Sequence, residues 1–297
     1  GKQNYKGQIM DKLNQTITLR DGRKLGYAEY GTPDGAPVFY FTGGNSSRFE
    51  GKWFEDAALK RKMRLIVPDR PGFGLSTLQP NRQLIHWSDD VSQLADFLSI
   101  NAFSVFGLSG GSPHVLAVAY NIPERINKAA IVSGTGSPDM PDKFAGMWLP
   151  VRLIFLTAKH LPVVNRFLLK QMSGFYSNEK QMLTQMKRAL PKPDIELIDR
   201  HPDIIRIFAE ATREAHRNGV DGDAHEWQLY VSDWGFKLSE INKEIKLWYG
   251  KYDQQVPVGM GRFLSRELPN ASLIEVENGG HFSTINNHID EVFAYLA

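Results

Sequence analysis

The sequence contains no cysteine. A disulfide scaffold, a zinc–thiolate site and a cysteine nucleophile are thereby excluded together. It also lacks a hydrophobic run long enough to cross a bilayer, which takes roughly 20 apolar residues. The most apolar stretch, Trp148 to Leu169, is broken by Arg152, Lys159, His160, Pro162 and Arg166. An excess of one charge is missing too: 35 Lys and Arg face 33 Asp and Glu, a net +2. So neutral a chain is a poor match for a polyanion, and nucleic acid is not an expected partner. No G-x-G-x-x-G or P-loop pattern occurs, and no cofactor is expected. No basic stretch followed by an apolar segment precedes Met10, the first methionine. Residues 1–9 read as an N-terminal tail, and the cytoplasm is the default location.

What is present is a chain of 297 residues, 42% of them hydrophobic. That suffices for a sizeable core and for up to two structural units, at about 150 residues each. Thr16–Leu19 and Lys24–Tyr30, joined through Asp21-Gly22, read as a strand, tight turn and strand. Val38–Phe41, Leu65–Val67, Phe103–Phe106 and Ala129–Val132 are short continuous apolar runs, the mark of strands buried on both faces. Between them Trp53–Lys62, Trp87–Leu98 and the segment after Gly111 have helical spacing, with Ser88 as a candidate cap for the second. The alternation predicts a mostly parallel sheet wrapped by helices. It stops near Ser137, and residues 138–235 read as helix only. Strands resume at Ile245–Tyr249 and Ser272–Val276, with helices over Val258–Leu268 and Ile289–Leu296. The expected organisation is an α/β core, residues 10–137 and 236–297, carrying a helical insertion at 138–235.

Gly107-Leu-Ser109-Gly-Gly111 is a G-x-S-x-G pattern that follows an apolar strand and opens a helix. A serine on such a turn is exposed by a sharp reversal that small neighbours permit, and the helix N-terminus behind it favours negative charge. A serine hydroxyl needs a base, and the base needs an orienting acid. Asp253 follows one strand and His281 the next, so both fall at strand C-terminal ends, where ligand chemistry gathers in α/β folds. The order serine, acid, histidine is that of the nucleophile-elbow hydrolases. Asp139, just after the sixth strand, is the reserve for the acid. Backbone donors for an oxyanion are expected from Gly110 and from the Gly43-Gly44-Asn45 loop. His216, Asp221, Asp223 and His225 lie close in sequence but follow no ligand spacing, so no metal is expected.

These motifs resemble those of the α/β-hydrolases, lid-bearing esterase/lipase type, from about residue 14 onward. The residues carrying the resemblance are Gly107–Gly111, Pro68-Asp-Arg-Pro-Gly-Phe-Gly-Leu-Ser76, the Asp253 loop with Val256-Pro257, and Gly279-Gly-His281. The resemblance implies an α/β-hydrolase fold with a mostly parallel eight-stranded sheet, a helical lid inserted after the sixth strand, and a Ser109–Asp253–His281 triad. It implies Gly44 and Gly110 as oxyanion donors, with Asn45 as an alternative. Many relatives carry His-Gly at the start of the oxyanion loop, where this chain has Thr42-Gly43; Thr42 cannot make the imidazole's contacts. The Asp69-Arg-Pro-Gly segment reads as a structural turn.

A serine in the elbow points to acyl transfer through an acyl-enzyme. The expected activity is hydrolysis of a carboxylic ester with a small to medium apolar acyl or alcohol group. Phe144, Met147 and Trp148 head a list of lid residues (Leu149, Leu153, Ile154, Phe155, Leu168, Leu169, Met172) expected to supply apolar lining. The alternatives on the same triad are a ligand-sensing protein and a carbon–carbon bond hydrolase, perhydrolase or aminopeptidase.

Overall fold

The computed structural model describes residues 11–297, so the tail at residues 1–9 lies outside it. Eight strands form one sheet: β1 (Gln15–Thr18), β2 (Lys24–Gly31), β3 (Ala36–Phe41), β4 (Met63–Pro68), β5 (Phe103–Leu108), β6 (Ile126–Val132), β7 (Ile245–Gly250) and β8 (Ala271–Val276). Their order is β1-β2-β4-β3-β5-β6-β7-β8. β2 runs antiparallel to β1 and to β4, and every other pairing is parallel. The chain steps outward from β3 to β4 and then back across to β5. The connections therefore diverge between β3 and β5 and leave a crevice at their C-terminal ends.

Alternation explains why these strands read as unbroken apolar runs. Phe39, Phe41, Phe103 and Val105 enter the hydrophobic cluster on one face. Val38, Tyr40, Phe106 and Leu108 enter the cluster on the other. Helices cover both faces: α1 (Glu55–Lys60), α2 (Trp87–Phe97) and α3 (Ser112–Asn121) precede β6. Between β6 and β7 come α4 (Leu149–His160), α5 (Pro162–Tyr176), α6 (Glu179–Ala189), α7 (Lys192–Arg200), α8 (Asp203–Ala215) and α9 (Asp221–Val231). α10 (Val258–Glu267) and α11 (His281–Leu296) complete the core. No helix of the described residues is long and apolar enough to cross a membrane.

Four elements differ from the sequence reading. The helix expected over Trp53–Lys62 is a 3₁₀ segment, Arg48–Phe54, followed by the shorter α1. Ser88 does not cap α2; it lies inside that helix, fully buried, and its hydroxyl donates to the Ala117 carbonyl at 3.1 Å. The inserted helices begin at Leu149 rather than near 138, because Pro141 and Gly146, the latter at φ +76°, hold the preceding chain in turns. The last helix starts at His281, eight residues before the expected Ile289, and His288 lies within it.

Candidate functional site

Ser109 leaves the end of β5 with φ +52°, in the left-handed region that side chains avoid. The flanking glycines make that turn sterically accessible. A Cβ on Gly107 would lie 2.8 Å from the Gly111 carbonyl carbon, and one on Gly111 only 2.0 Å from the Phe41 oxygen. Gly111 is thus the point where the start of α3 rests directly on β3.

Asp253 and His281 stand in the loop after β7 and at the start of α11. The His281 Nδ1–H donates to Asp253 Oδ2 at 2.7 Å. The other carboxylate oxygen is held by the N–H groups of Gln255 and Val256, at 2.8 and 2.9 Å. Both side chains are buried. Burial opposes charging of the imidazole, but Asp253, with Asp194 and Glu50 further off, outweighs it and raises the His281 pKa above 6.5. The bond comes from Asp253, not from the reserve acid Asp139.

Ser109, Gly110, Gly44, Asn45 and His281 all border one cavity of about 670 Å³. Gly44 N lies 3.2 Å from where a Cβ on Gly110 would stand, so these two backbones adjoin. The neighbouring Gly43 N–H is engaged by Glu50 at 3.2 Å, and Glu50 also accepts from the Tyr40 hydroxyl. With its side-chain amide assigned so that the nitrogen faces Asp223, Asn45 donates to the two carboxylate oxygens at 2.6 and 2.9 Å.

What stands in for the missing imidazole of the loop was not read from the sequence. The Arg70 guanidinium donates to the Thr42 carbonyl at 2.7 Å, to its hydroxyl at 3.2 Å and to the Gly43 carbonyl at 2.9 Å. Its Nε pairs with Glu226 of α9 at 2.9 Å. Glu226 also pairs with Arg82 and lies 2.8 Å from His114 Nε2. Against the full desolvation of its carboxylate, His114 and the two arginines hold Glu226 well below the usual carboxylate range. Tyr230, one turn along α9, donates to the Gly110 carbonyl at 2.8 Å. One buried cluster thus grips both sides of the cavity floor. Arg70 carried a signal, since it lies in the Asp69-Arg-Pro-Gly motif; Glu226 and Tyr230 carried none.

Of the three residues put forward as substrate contacts, Trp148 borders the cavity. Phe144 and Met147 do not: Phe144 packs on Phe155, with ring centroids 5.9 Å apart, and Met147 is buried in the core. Leu153, Ile154, Phe155, Leu168 and Met172 do line it, while Leu149 is exposed and Leu169 is packed between helices. The residues weighed as a metal cluster do not come together as a group of three or more. Asp221 pairs with Arg166, His216 with Asp223, and His225 with the Arg82 carbonyl. Among the described residues no group is placed to hold a metal ion.

Comparison with known proteins identifies the fold and the family. A 124-residue stretch is 30% identical to an uncharacterised hydrolase, YcgS, of Bacillus subtilis, covering 42% of each chain. A pimeloyl-[acyl-carrier protein] methyl ester esterase of Nitrosomonas europaea is 25% identical over 75% of this chain and 80% of its own. A 2-hydroxy-6-oxononadienedioate/2-hydroxy-6-oxononatrienedioate hydrolase of Comamonas testosteroni is 24% identical, covering 76% and 73%. A thermophilic esterase from Thermogutta terrifontis superposes with a TM-score of 0.68 at 18% identity, covering 95% and 96%, and so shares the fold. The family model described as alpha/beta hydrolase fold matches residues 37–287. The chain belongs to the alpha/beta hydrolases.

Proposed function

We propose that this hydrolase cleaves neutral carboxylic esters through an acyl-serine intermediate. The observation that carries the reading is the joint placement of a strained Ser109 and an Asp253-bonded His281 on one cavity. His281 Nε2 takes the Ser109 proton as Oγ attacks the ester carbonyl, then gives it to the leaving alcohol. Asp253 holds the imidazole tautomer and stabilises its charged form. Water, activated by the same histidine, releases the acid. The Gly44 and Gly110 N–H groups receive the oxyanion. Gly44 is preferred to Asn45 because the Asn45 amide is committed to Asp223.

The inserted helices act as a lid that forms the acyl or alcohol pocket. Among the lining residues Glu50 and His281 are the chargeable ones, and no lysine or arginine is present. The Comamonas relative is named for a dioate, a doubly carboxylated substrate. The lining offers no lysine or arginine to receive such a group, which favours a neutral ester over the carbon–carbon hydrolase alternative.

A fluorophosphonate probe tests the reading. A single adduct on Ser109, absent in His281→Ala, is expected, as is a drop of roughly 10⁴-fold or more in ester turnover for Ser109→Ala. A folded protein that takes no adduct, or a Ser109→Ala variant with full turnover, would overturn it.

A further inference from the structure

His281 is the first residue of α11, and Gly280 before it has no side chain to accept from the helix's leading N–H groups. An acceptor comes instead from Asp194 of α7, in the helical insertion. Its Oδ2 accepts from His281 N at 2.8 Å. Its Oδ1 accepts from Phe282 N at 3.2 Å, from Ser283 N at 2.8 Å and from the Ser283 hydroxyl at 2.7 Å. The Ser283 oxygen in turn accepts from Gly280 N at 2.8 Å, closing the turn. Gly280 is needed here, because a Cβ on it would come within 2.4 Å of Asp194 Oδ1. Asp194 is fully buried and has no lysine or arginine pair among the described residues. Burial raises its pKa, and the donors of the first turn of α11 and the His281 charge oppose that rise.

We propose that Asp194 is a positioning residue for His281, a carboxylate of the insertion that caps α11 from outside and so makes the base competent only while α7 is seated on the core. The proposal rests on the reading of His281 as the base. Three carboxylates on three elements favour the charged imidazole: Asp253 after β7, in contact with the ring, and, through space, Asp194 and Glu50 of the 3₁₀ segment before α1. Asp253 orients the ring through Nδ1, whereas Asp194 fixes the backbone from which the ring projects. Unseating α7 would free the first turn of α11 and withdraw a negative charge from the imidazolium at the same time.

The test compares Asp194→Ala with Asp194→Asn in the full chain. Asp194→Ala should lower kcat on a soluble ester by about 10- to 100-fold through misplacement of the base, with KM changed by less than about threefold. Asp194→Asn keeps an oxygen for the cap but loses the charge. Its kcat should fall less, while the acid limb of kcat/KM moves to lower pH by roughly half a unit, because a neighbouring anion favours the protonated ring. Two readouts need no turnover: faster hydrogen exchange at amides 281–283 in the alanine variant, and a lower ring pKa of His281 by NMR in both. Should the alanine variant fail to fold, the asparagine variant carries the test. Wild-type kcat and pH limb in folded variants, with only a lower melting temperature, would overturn the proposal. So would unchanged exchange and ring pKa. If the wild type takes no fluorophosphonate adduct while exchange and ring pKa respond as expected, the esterase reading falls and the cap stands.

Discussion

At the scale of single residues, the site stores strain where its chemistry is proposed to occur. A non-glycine residue in the left-handed region costs on the order of 1 kcal/mol, and Ser109 holds that conformation at φ +52°. Two substitutions separate strain from the lost hydroxyl. Ser109→Gly and Ser109→Ala both remove Oγ, but only glycine relieves the backbone. The glycine variant should be the more stable by about 1 kcal/mol in urea unfolding, and both should be inactive. Equal stability would mean that the surrounding turn, not the residue, bears the cost. The G-x-S-x-G pattern was legible because its two glycines are required by contacts of 2.8 and 2.0 Å, a demand that leaves a trace in sequence.

Elements meet at this site in ways that leave no such trace. The turn after β4 and helix α9 lie far apart in the chain, yet Arg70, Arg82 and Glu226 bring them together under the Thr42–Gly44 loop. A buried carboxylate between two buried guanidinium groups cannot be removed without leaving uncompensated charge. Glu226→Gln should therefore destabilise the protein by about 3 kcal/mol in urea unfolding, and should lower kcat as the Gly43 and Gly110 carbonyls lose their anchors. An unchanged midpoint and slope would show that the arginines find other partners. The same physics explains why the start of α11 was missed. Local signals for a helix begin only near Ile289, whereas the true first turn is capped by Asp194 from another helix. A cap supplied across the fold is invisible to a reading that looks only three or four residues along the chain.

Across the whole molecule, the sheet was legible strand by strand, and the insertion was legible as helices but not in what its apolar faces touch. Strands buried on both faces must be continuously apolar, so β3 to β7 appear directly in the sequence. Helices α4 to α8 are amphipathic, and an apolar stripe does not say whether it faces the core, another helix or a cavity. Hence Trp148 borders the cavity while Phe144 and Met147, its near neighbours, pack into protein. What the insertion builds is a chamber whose wall between α4 and α5 includes the half-exposed Leu153 and Phe175, marking its mouth. Inside, Met172, Met182, Met186 and Phe208 form an apolar wall, the lining holds no lysine or arginine to pair with a carboxylate, and Glu50 disfavours one. Transfer of an unpaired anion into such a wall costs several kcal/mol. Two p-nitrophenyl esters of similar size, the neutral butyrate and the anionic hydrogen succinate, put this to the test. kcat/KM should favour the butyrate by about 100-fold or more at neutral pH. The gap should narrow as the succinate is protonated toward pH 4, after correction for the His281 limb that lowers both rates together. Equal rates at neutral pH would mean that the carboxylate stays in solvent at the mouth, and that the chamber does not select for charge.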